Sequence, residues 1–513
     1  MRHIRFGVVL LLALTSMTVA SQALPTEGYT PRFDEGDCIF ARPEPSIICG
    51  TLTVPEDRTN PAGRQVRLAV VIFPAVLQPS LPDPLIYLEG GPGFSALYGV
   101  NRWVDHPARA NRDIIIFDQR GTGFSEPSLN CPEIENNDPA QFTNPVSNCF
   151  FRIQQEEGIG VEHYDSAASA ADVRDLAVAL GAPQVNLYGI SYGSRLALTV
   201  IRDYPDTVRS GVLDAIFPPE ADLVADRISN RFRAFELLFG DCQADPACRA
   251  AFPDIQETFF RVVERYNENP YQLARPNPGF PDVLTGDGIV NALFLGMYNT
   301  PALPMIPYGV YRLDRAENDD DVLFGYFMVH GFLTPETYRA RRIPQTPSIR
   351  DTAAVQLYED NFGDVSYSEG LYLSVNCADE IAFSDENEAT RLDADRVPPT
   401  LRDWLVNDVG GIAFGCSAWG VPSNDAIEEQ RVESDVPVLL LGGAYDPITP
   451  IDWMMSARAG LPNNKLVVFT YGGHGVSLDN PCGIGLVVAH VNAPELAPDT
   501  SCSVGEINFY TED

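Results

Sequence analysis

Lysine is almost absent from this 513-residue chain: Lys465 is the only one. Lysine and arginine together number 35 against 70 acidic residues, a formal charge of −35. A surface so acidic repels the phosphates of nucleic acid, which removes DNA and RNA as partners; it reads first as a well-solvated surface and second as an attraction for cationic substrates. Long apolar runs are also missing. Beyond the first 23 residues no stretch approaches the roughly 18 uninterrupted apolar residues that a spanning helix needs, so no membrane span is expected in the mature chain. No two cysteines have C-x-x-C spacing and none stands beside a histidine at ligand spacing, so the common zinc patterns are absent and neither a metal nor an organic cofactor is expected. Histidine is scarce, with six residues, which leaves few positions for a general base.

What is present is an ordinary globular composition, 45% hydrophobic and 20% charged, in a chain long enough for one large domain with an insertion. Residues 1–23 read as a secretory signal: Arg2, His3 and Arg5 precede the apolar run from Val8 to Leu14, and small residues follow, with cleavage after Ala20 or Ala23. Ten cysteines agree with export to a periplasm or the medium. They fall as neighbours along the chain, and we expect five sequential disulfides, Cys38 with Cys49, Cys131 with Cys149, Cys242 with Cys248, Cys377 with Cys416 and Cys482 with Cys502.

After an irregular start, residues 50–75 alternate like a hairpin. Then come short apolar runs ending in glycine-rich turns, Pro84 to Leu88 and Asp113 to Phe117, as expected of strands buried on both faces of a parallel sheet. A helical pattern from Ser166 to Leu180 stops at Gly181, a strand follows at Val185 to Tyr188, a helix runs from about Ser194 to Asp203, and Val208 to Leu213 is another strand. This alternation predicts a parallel sheet with right-handed crossovers. It breaks off near Pro218 and returns at Val436 to Leu441 and Lys465 to Phe469. The intervening segment, opening with an amphipathic helix over Asp222 to Gly240, predicts a mainly helical cap over the carboxyl edge of the sheet. The expected division is 24–217 and 436–513 for the core, with 218–435 as the cap insertion.

Ser191 lies in Gly189-Ile190-Ser191-Tyr192-Gly193, between a strand and a helix. Glycines two residues either side permit a sharp turn that presents the hydroxyl at the sheet edge, and the amide of Tyr192 at the helix start is suited to an oxyanion. The base expected for this nucleophile is His474, in Gly472-Gly473-His474-Gly475 after the last strand; the orienting acid is Asp446, after the strand before it. The second oxyanion donor is expected from the loop Glu89-Gly90-Gly91-Pro92-Gly93, with Gly91 the first choice. Serine, then acid, then histidine is the α/β-hydrolase chain order.

These motifs, together with Asp118-Gln119-Arg120-Gly121-Thr122-Gly123, resemble the prolyl aminopeptidase and tripeptidyl aminopeptidase group of α/β-hydrolases, over roughly residues 45–218 and 430–505. The Cys482 to Cys502 segment is similar to the terminal region of the secreted tripeptidyl type. The resemblance implies an α/β-hydrolase fold, a structural role for Asp118 to Gly123, and hydrolysis of peptides at a free N-terminus through an acyl-enzyme. Single-domain members usually carry histidine where this chain has Glu89, so their substrate preference does not transfer. An aminopeptidase needs a group to hold a cationic amine; Asp379 and Glu380, in the cap beside Cys377, are the candidates. A carboxylesterase with the same triad is the enzymatic alternative, and a non-catalytic binding protein on a hydrolase fold the other.

Overall fold

The computed structural model describes residues 28–40, 42, 44–135, 144–275, 277, 280–339, 365–384 and 397–511. The expected signal at 1–23 lies outside them. Nine strands form one sheet: β1 (Arg32–Gly36), β2 (Ile48–Pro55), β3 (Gln65–Phe73), β4 (Leu85–Leu88), β5 (Ile114–Phe117), β6 (Val185–Ile190), β7 (Val208–Asp214), β8 (Val438–Gly443) and β9 (Asn464–Phe469). Their spatial order is β1-β2-β3-β5-β4-β6-β7-β8-β9; β1, β2, β3 and β5 pair antiparallel, and from β5 onward the pairs are parallel. The short apolar runs β4, β5, β6 and β8 are buried at every residue, because helices cover both faces.

One face packs Val173 and Leu176 of the helix Ser166–Ala179, Leu196 and Val200 of the helix Tyr192–Asp203, and Met454 of the helix Ile451–Ala459. The other packs Trp103, Leu486, Val487 and Val491, the last three from the helix Pro481–Asn492. The helix Ser166–Ala179 starts where the Asp165 carboxylate accepts the Ala168 amide at 2.7 Å and ends before Gly181, whose φ of +68° is the left-handed stop that glycine permits.

Between β7 and β8 the described chain is helical. The helices Arg227–Ala244, Ile255–Glu268, Gly286–Gly296, Ile306–Asp314 and Asp319–Val329 share a hydrophobic core of their own, which meets the sheet edge at Tyr445 and Ile448. Two sequence expectations shift. The first cap helix begins at Arg227 rather than Asp222, because the Asp222 carboxylate accepts the amides of Val224 and Ala225 and closes a turn there. The irregular start contains β1, an edge strand whose mostly exposed residues have no apolar alternation to betray it. All five cysteine pairs are bonded as the sequential scheme expects, with Cα separations of 5.2–5.9 Å. No helix among the described residues is long and apolar enough to cross a membrane.

Candidate active site

The turn after β6 is sterically dictated. Ser191 sits at φ 58°, ψ −126°, a backbone conformation that non-glycine residues adopt only where the surroundings enforce it. A Cβ on Gly189 would lie 2.1 Å from the Gly193 carbonyl oxygen, and one on Gly193 would lie 2.0 Å from that of Leu88. Both positions therefore admit only glycine. The Ser191 amide donates to the Asp214 carbonyl at 3.0 Å, and its carbonyl accepts the Ser194 amide at 2.8 Å and the Ser194 hydroxyl at 2.6 Å. The strained residue is thus held at both ends, with the Tyr192 amide at the free N-terminal end of its helix.

Asp446 and His474 meet across the ends of β8 and β9. The loops approach closely because Gly443 has no side chain: a Cβ there would stand 2.1 Å from the Gly473 carbonyl oxygen. His474 Nδ1 is 2.8 Å from Asp446 Oδ2. Asp446 also accepts the amides of Ile448 and Thr449, each at 2.9 Å, and the Thr449 hydroxyl at 2.6 Å. Burial works to raise its carboxyl; the charge and hydrogen bond of His474 and the Thr449 bonds outweigh it and hold Asp446 below the ordinary carboxylate range. Burial works to lower the imidazole, yet Asp446, through charge and hydrogen bond, and the charge of Asp214 raise it. The pair is an acid kept ionised orienting a base kept basic. No hydrogen bond joins Ser191 Oγ to His474 among the described residues; such bonds commonly tighten only with substrate in place.

Ser191 opens into a cavity of about 170 Å³, lined also by Gly91, Pro92, Phe217, Leu223, Arg227, Arg231, Phe294, Tyr298, Tyr372, Asn376, Ile448, Thr449 and Trp453. His474 borders it through its neighbours: its ring lies 4.5 Å from that of Tyr298, and Nδ1 is 3.3 Å from the Thr449 hydroxyl. The Gly90 to Gly93 loop reaches Ser191, since a Cβ on Gly90 would be 3.2 Å from Ser191 Cβ. Gln119 Nε2 donates to the Glu89 carbonyl at 2.9 Å. Asp118 accepts Ser95 Oγ at 2.8 Å and the amides of Leu97 and Phe124, while buried Arg120 grips Asp172 through two bonds of 2.8 and 2.7 Å. The Asp118 to Gly123 segment thus braces the loop and offers the cavity no side chain among the described lining.

Asp379 and Glu380 do not reach the cavity. They end the helix Glu369–Asp379, whose Asn376 lines it, but both carboxylates turn into the protein. Asp379 accepts Ser166 Oγ at 2.6 Å and Asn424 Nδ2 at 2.5 Å, and Glu380 pairs with Arg195 Nη1 at 2.7 Å. With exposures of 0% and 2%, neither is offered to a substrate amine. The described lining carries two arginines, Arg227 and Arg231, and no carboxylate. These arginines were not singled out from sequence, since an Arg-x-x-x-Arg pair in a helix is usually a solvated face. Among the described residues the one grouping with metal-ligand proximity is Cys131, Glu133 and Cys149, and its two sulfurs are bonded to each other.

Comparison with known proteins agrees with this geometry. Residues 83–283 match the α/β hydrolase fold family model and residues 406–502 the TAP-like protein model. The chain is 26% identical to tripeptidyl aminopeptidase of Streptomyces lividans over 86% of this chain and 80% of that protein. It is 23% identical to serine protease Hip1 of Mycobacterium tuberculosis, over 80% and 79%, and 25% identical to carboxylesterase B of the same species, over 88% and 85%. With the elbow, the mostly parallel sheet and the match of residues 83–283, the chain has the α/β-hydrolase fold, and its residues 406–502 are similar to the TAP-like protein model.

Proposed function

We propose that this hydrolase is an exported serine peptidase that removes a short peptide from a free N-terminus through an acyl-enzyme on Ser191. The observation that carries the reading is the strained Ser191 at φ 58°, opening into a cavity whose lining residues Tyr298 and Thr449 contact the His474–Asp446 pair. Ser191 Oγ attacks the scissile carbonyl as His474 takes its proton; the amides of Tyr192 and Gly91 hold the oxyanion; collapse expels the amine, which takes the proton from His474. Water, deprotonated by His474, then hydrolyses the ester and restores the serine. The five disulfides support export.

The lining favours release of a peptide over release of one residue. An ammonium one residue from the scissile bond would sit within about 5 Å of it, where the described lining has arginines and no acid. A tripeptide spans roughly 10 Å, which places the amine beyond this cavity. The competing reading is a carboxylesterase, favoured by the apolar wall of Phe217, Leu223, Phe294, Ile448 and Trp453. Free and N-acetylated tripeptide anilides, single-residue anilides and short-chain nitrophenyl esters separate the two. We expect turnover of the free tripeptide anilide and its loss on acetylation; turnover of esters alone would establish the esterase.

A further inference from the structure

Asp214, the last residue of β7, is not part of the proposed triad, yet it is bonded both to the Ser191 turn and to the turn that carries His474. It is fully buried. Its carbonyl accepts the Ser191 amide at 3.0 Å, so its backbone holds the nucleophile's turn. Its carboxylate Oδ2 accepts the amide of Ser477 at 2.6 Å and the Ser477 hydroxyl, three residues after His474. Because the Ser477 hydroxyl spends its proton on Asp214, its oxygen receives one from the Tyr188 hydroxyl at 2.8 Å, and Tyr188 lies on β6 three residues before Ser191. The other carboxylate oxygen, Oδ1, is buried and has no hydrogen-bond partner among the described residues. An acid of this kind, in a dry site at a strand end, is costly unless its position does something for its neighbours.

We propose that Asp214 is a positioning residue for the acyl-transfer reaction, fixing the histidine turn against the serine elbow and adding a second negative charge to those that act on the imidazole. The proposal rests on the triad reading above. The elbow belongs to the β6 end and the base to the β9 end, with β7 and β8 between them in the sheet. Asp446 orients the imidazole ring but leaves the main chain of its turn untied to the elbow; the Asp214 bonds supply that tie. A displacement of about 1 Å between nucleophile and base costs on the order of 10²-fold in rate, so the tie has catalytic value without contacting substrate.

The charge has a separate consequence. The ionisable groups around Asp214 are His474 and Asp446 from the neighbouring loops and Tyr188 from β6, with Arg102 and Asp479 beyond the tyrosine. Burial pushes Asp214 up to about 6, against the Ser477 bonds and the charge of His474, which lower it. Ionised, it favours the imidazolium. Removing that charge lowers the pH at which His474 becomes a base.

A fluorophosphonate probe tests this without knowledge of the natural substrate. Ser191 Oγ bonds to phosphorus as the P–F bond breaks, fluoride leaves, and the hydroxyl proton passes to His474. The labelling rate is measured against pH for the full chain and for Asp214→Ala, Asp214→Asn, Ser477→Ala and the Asp214→Ala/Ser477→Ala double variant. We expect Asp214→Ala, which removes both bonds to the turn, to label about 10²-fold more slowly, and Ser477→Ala, which keeps the Ser477 amide bond and loses only that of the hydroxyl, about 10-fold more slowly; the double variant should be no slower than Asp214→Ala, since it removes no further bond to that carboxylate. Asp214→Asn keeps an amide oxygen for Ser477; it should label within about 10-fold of the native rate, with its acid limb moved to lower pH. Native rates in folded Asp214→Ala or Ser477→Ala, or an unmoved acid limb in Asp214→Asn, would overturn the proposal. Should Asp214→Ala not fold, Ser477→Ala and Asp214→Asn carry the test. Ser191→Ala is the control: labelling that persists in it defeats the triad reading itself, a different failure.

Discussion

Two groups of buried carboxylates flank the elbow, and they differ in the number of donors each was given. On one side Asp446 stands alone with two amides, a hydroxyl and an imidazole, and is held below the ordinary carboxylate range. On the other, Asp379, Glu380, Glu428 and Glu429 gather around Arg195, one helical turn after Ser191, with Arg202 a second cation on Glu428 and Ser166 and Asn424 donating to Asp379. Burial first, and then mutual repulsion, pushes these acids up, Glu429 to about 7. All of these acids but Glu429, whose side chain is 24% exposed, lie out of water. Depth alone therefore does not decide which carboxylate stays ionised: Asp446 has the imidazole and three further donors to itself, whereas the four acids repel one another around two guanidiniums.

The comparison can be broken most severely at the triad. Ser191→Ala or His474→Ala should each remove nearly all turnover, by about 10⁶-fold, with an unchanged circular dichroism spectrum. Asp446→Asn keeps the shape but reverses the preferred imidazole tautomer, and kcat should fall by about 10⁴-fold. In the native enzyme kcat/KM should fall as pH drops through a His474 value above the ordinary imidazole one, because only the neutral ring accepts the serine proton.

On the other side the expected effects concern stability. Arg195→Met leaves several buried acids without their cation and should cost about 3–5 kcal/mol at pH 7.5, measured by urea unfolding, and less at pH 5.5, where the acids can take up protons. The smallest effect is that of Glu429→Gln. A carboxyl raised from 4.5 to about 7 binds its proton more tightly folded than unfolded, so between those values its contribution to stability falls as pH rises. The variant's melting temperature should therefore decline less than the native protein's from pH 5 to pH 7.5; identical slopes would remove Glu429 from the second group.

The candidate triad was legible because the chemistry proposed for it narrows to few residue types at forced positions. Ser191 was flagged by two glycines that the structure shows to be sterically compelled, and His474 by the small number of histidines and its place after the last strand. Parallel strands were legible from apolar runs buried on both faces. Asp214 and Arg195 were not, because an acid closing a strand and an arginine within a helix look like surface residues until the sheet order and the cap are known. Asp379 and Glu380 were placed in the cap beside Cys377 but with the wrong orientation: sequence marks the cap but not which of its side chains face the cavity. The edge strand β1 escaped because its residues remain in water.

The cap is also joined to the floor by main-chain bonds. Ser368 N donates to the Gly93 carbonyl at 2.9 Å, Ser95 N to that of Ser366 at 3.1 Å, and a Cβ on Gly93 would fall 2.6 Å from the Ser368 carbonyl oxygen. The roof over the cavity is therefore stitched into the same loop that is expected to supply an oxyanion donor. A cap transplanted from a relative would carry its own version of that seam, and exchanging specificity between such enzymes requires moving residues 90–95 and 366–368 as one piece.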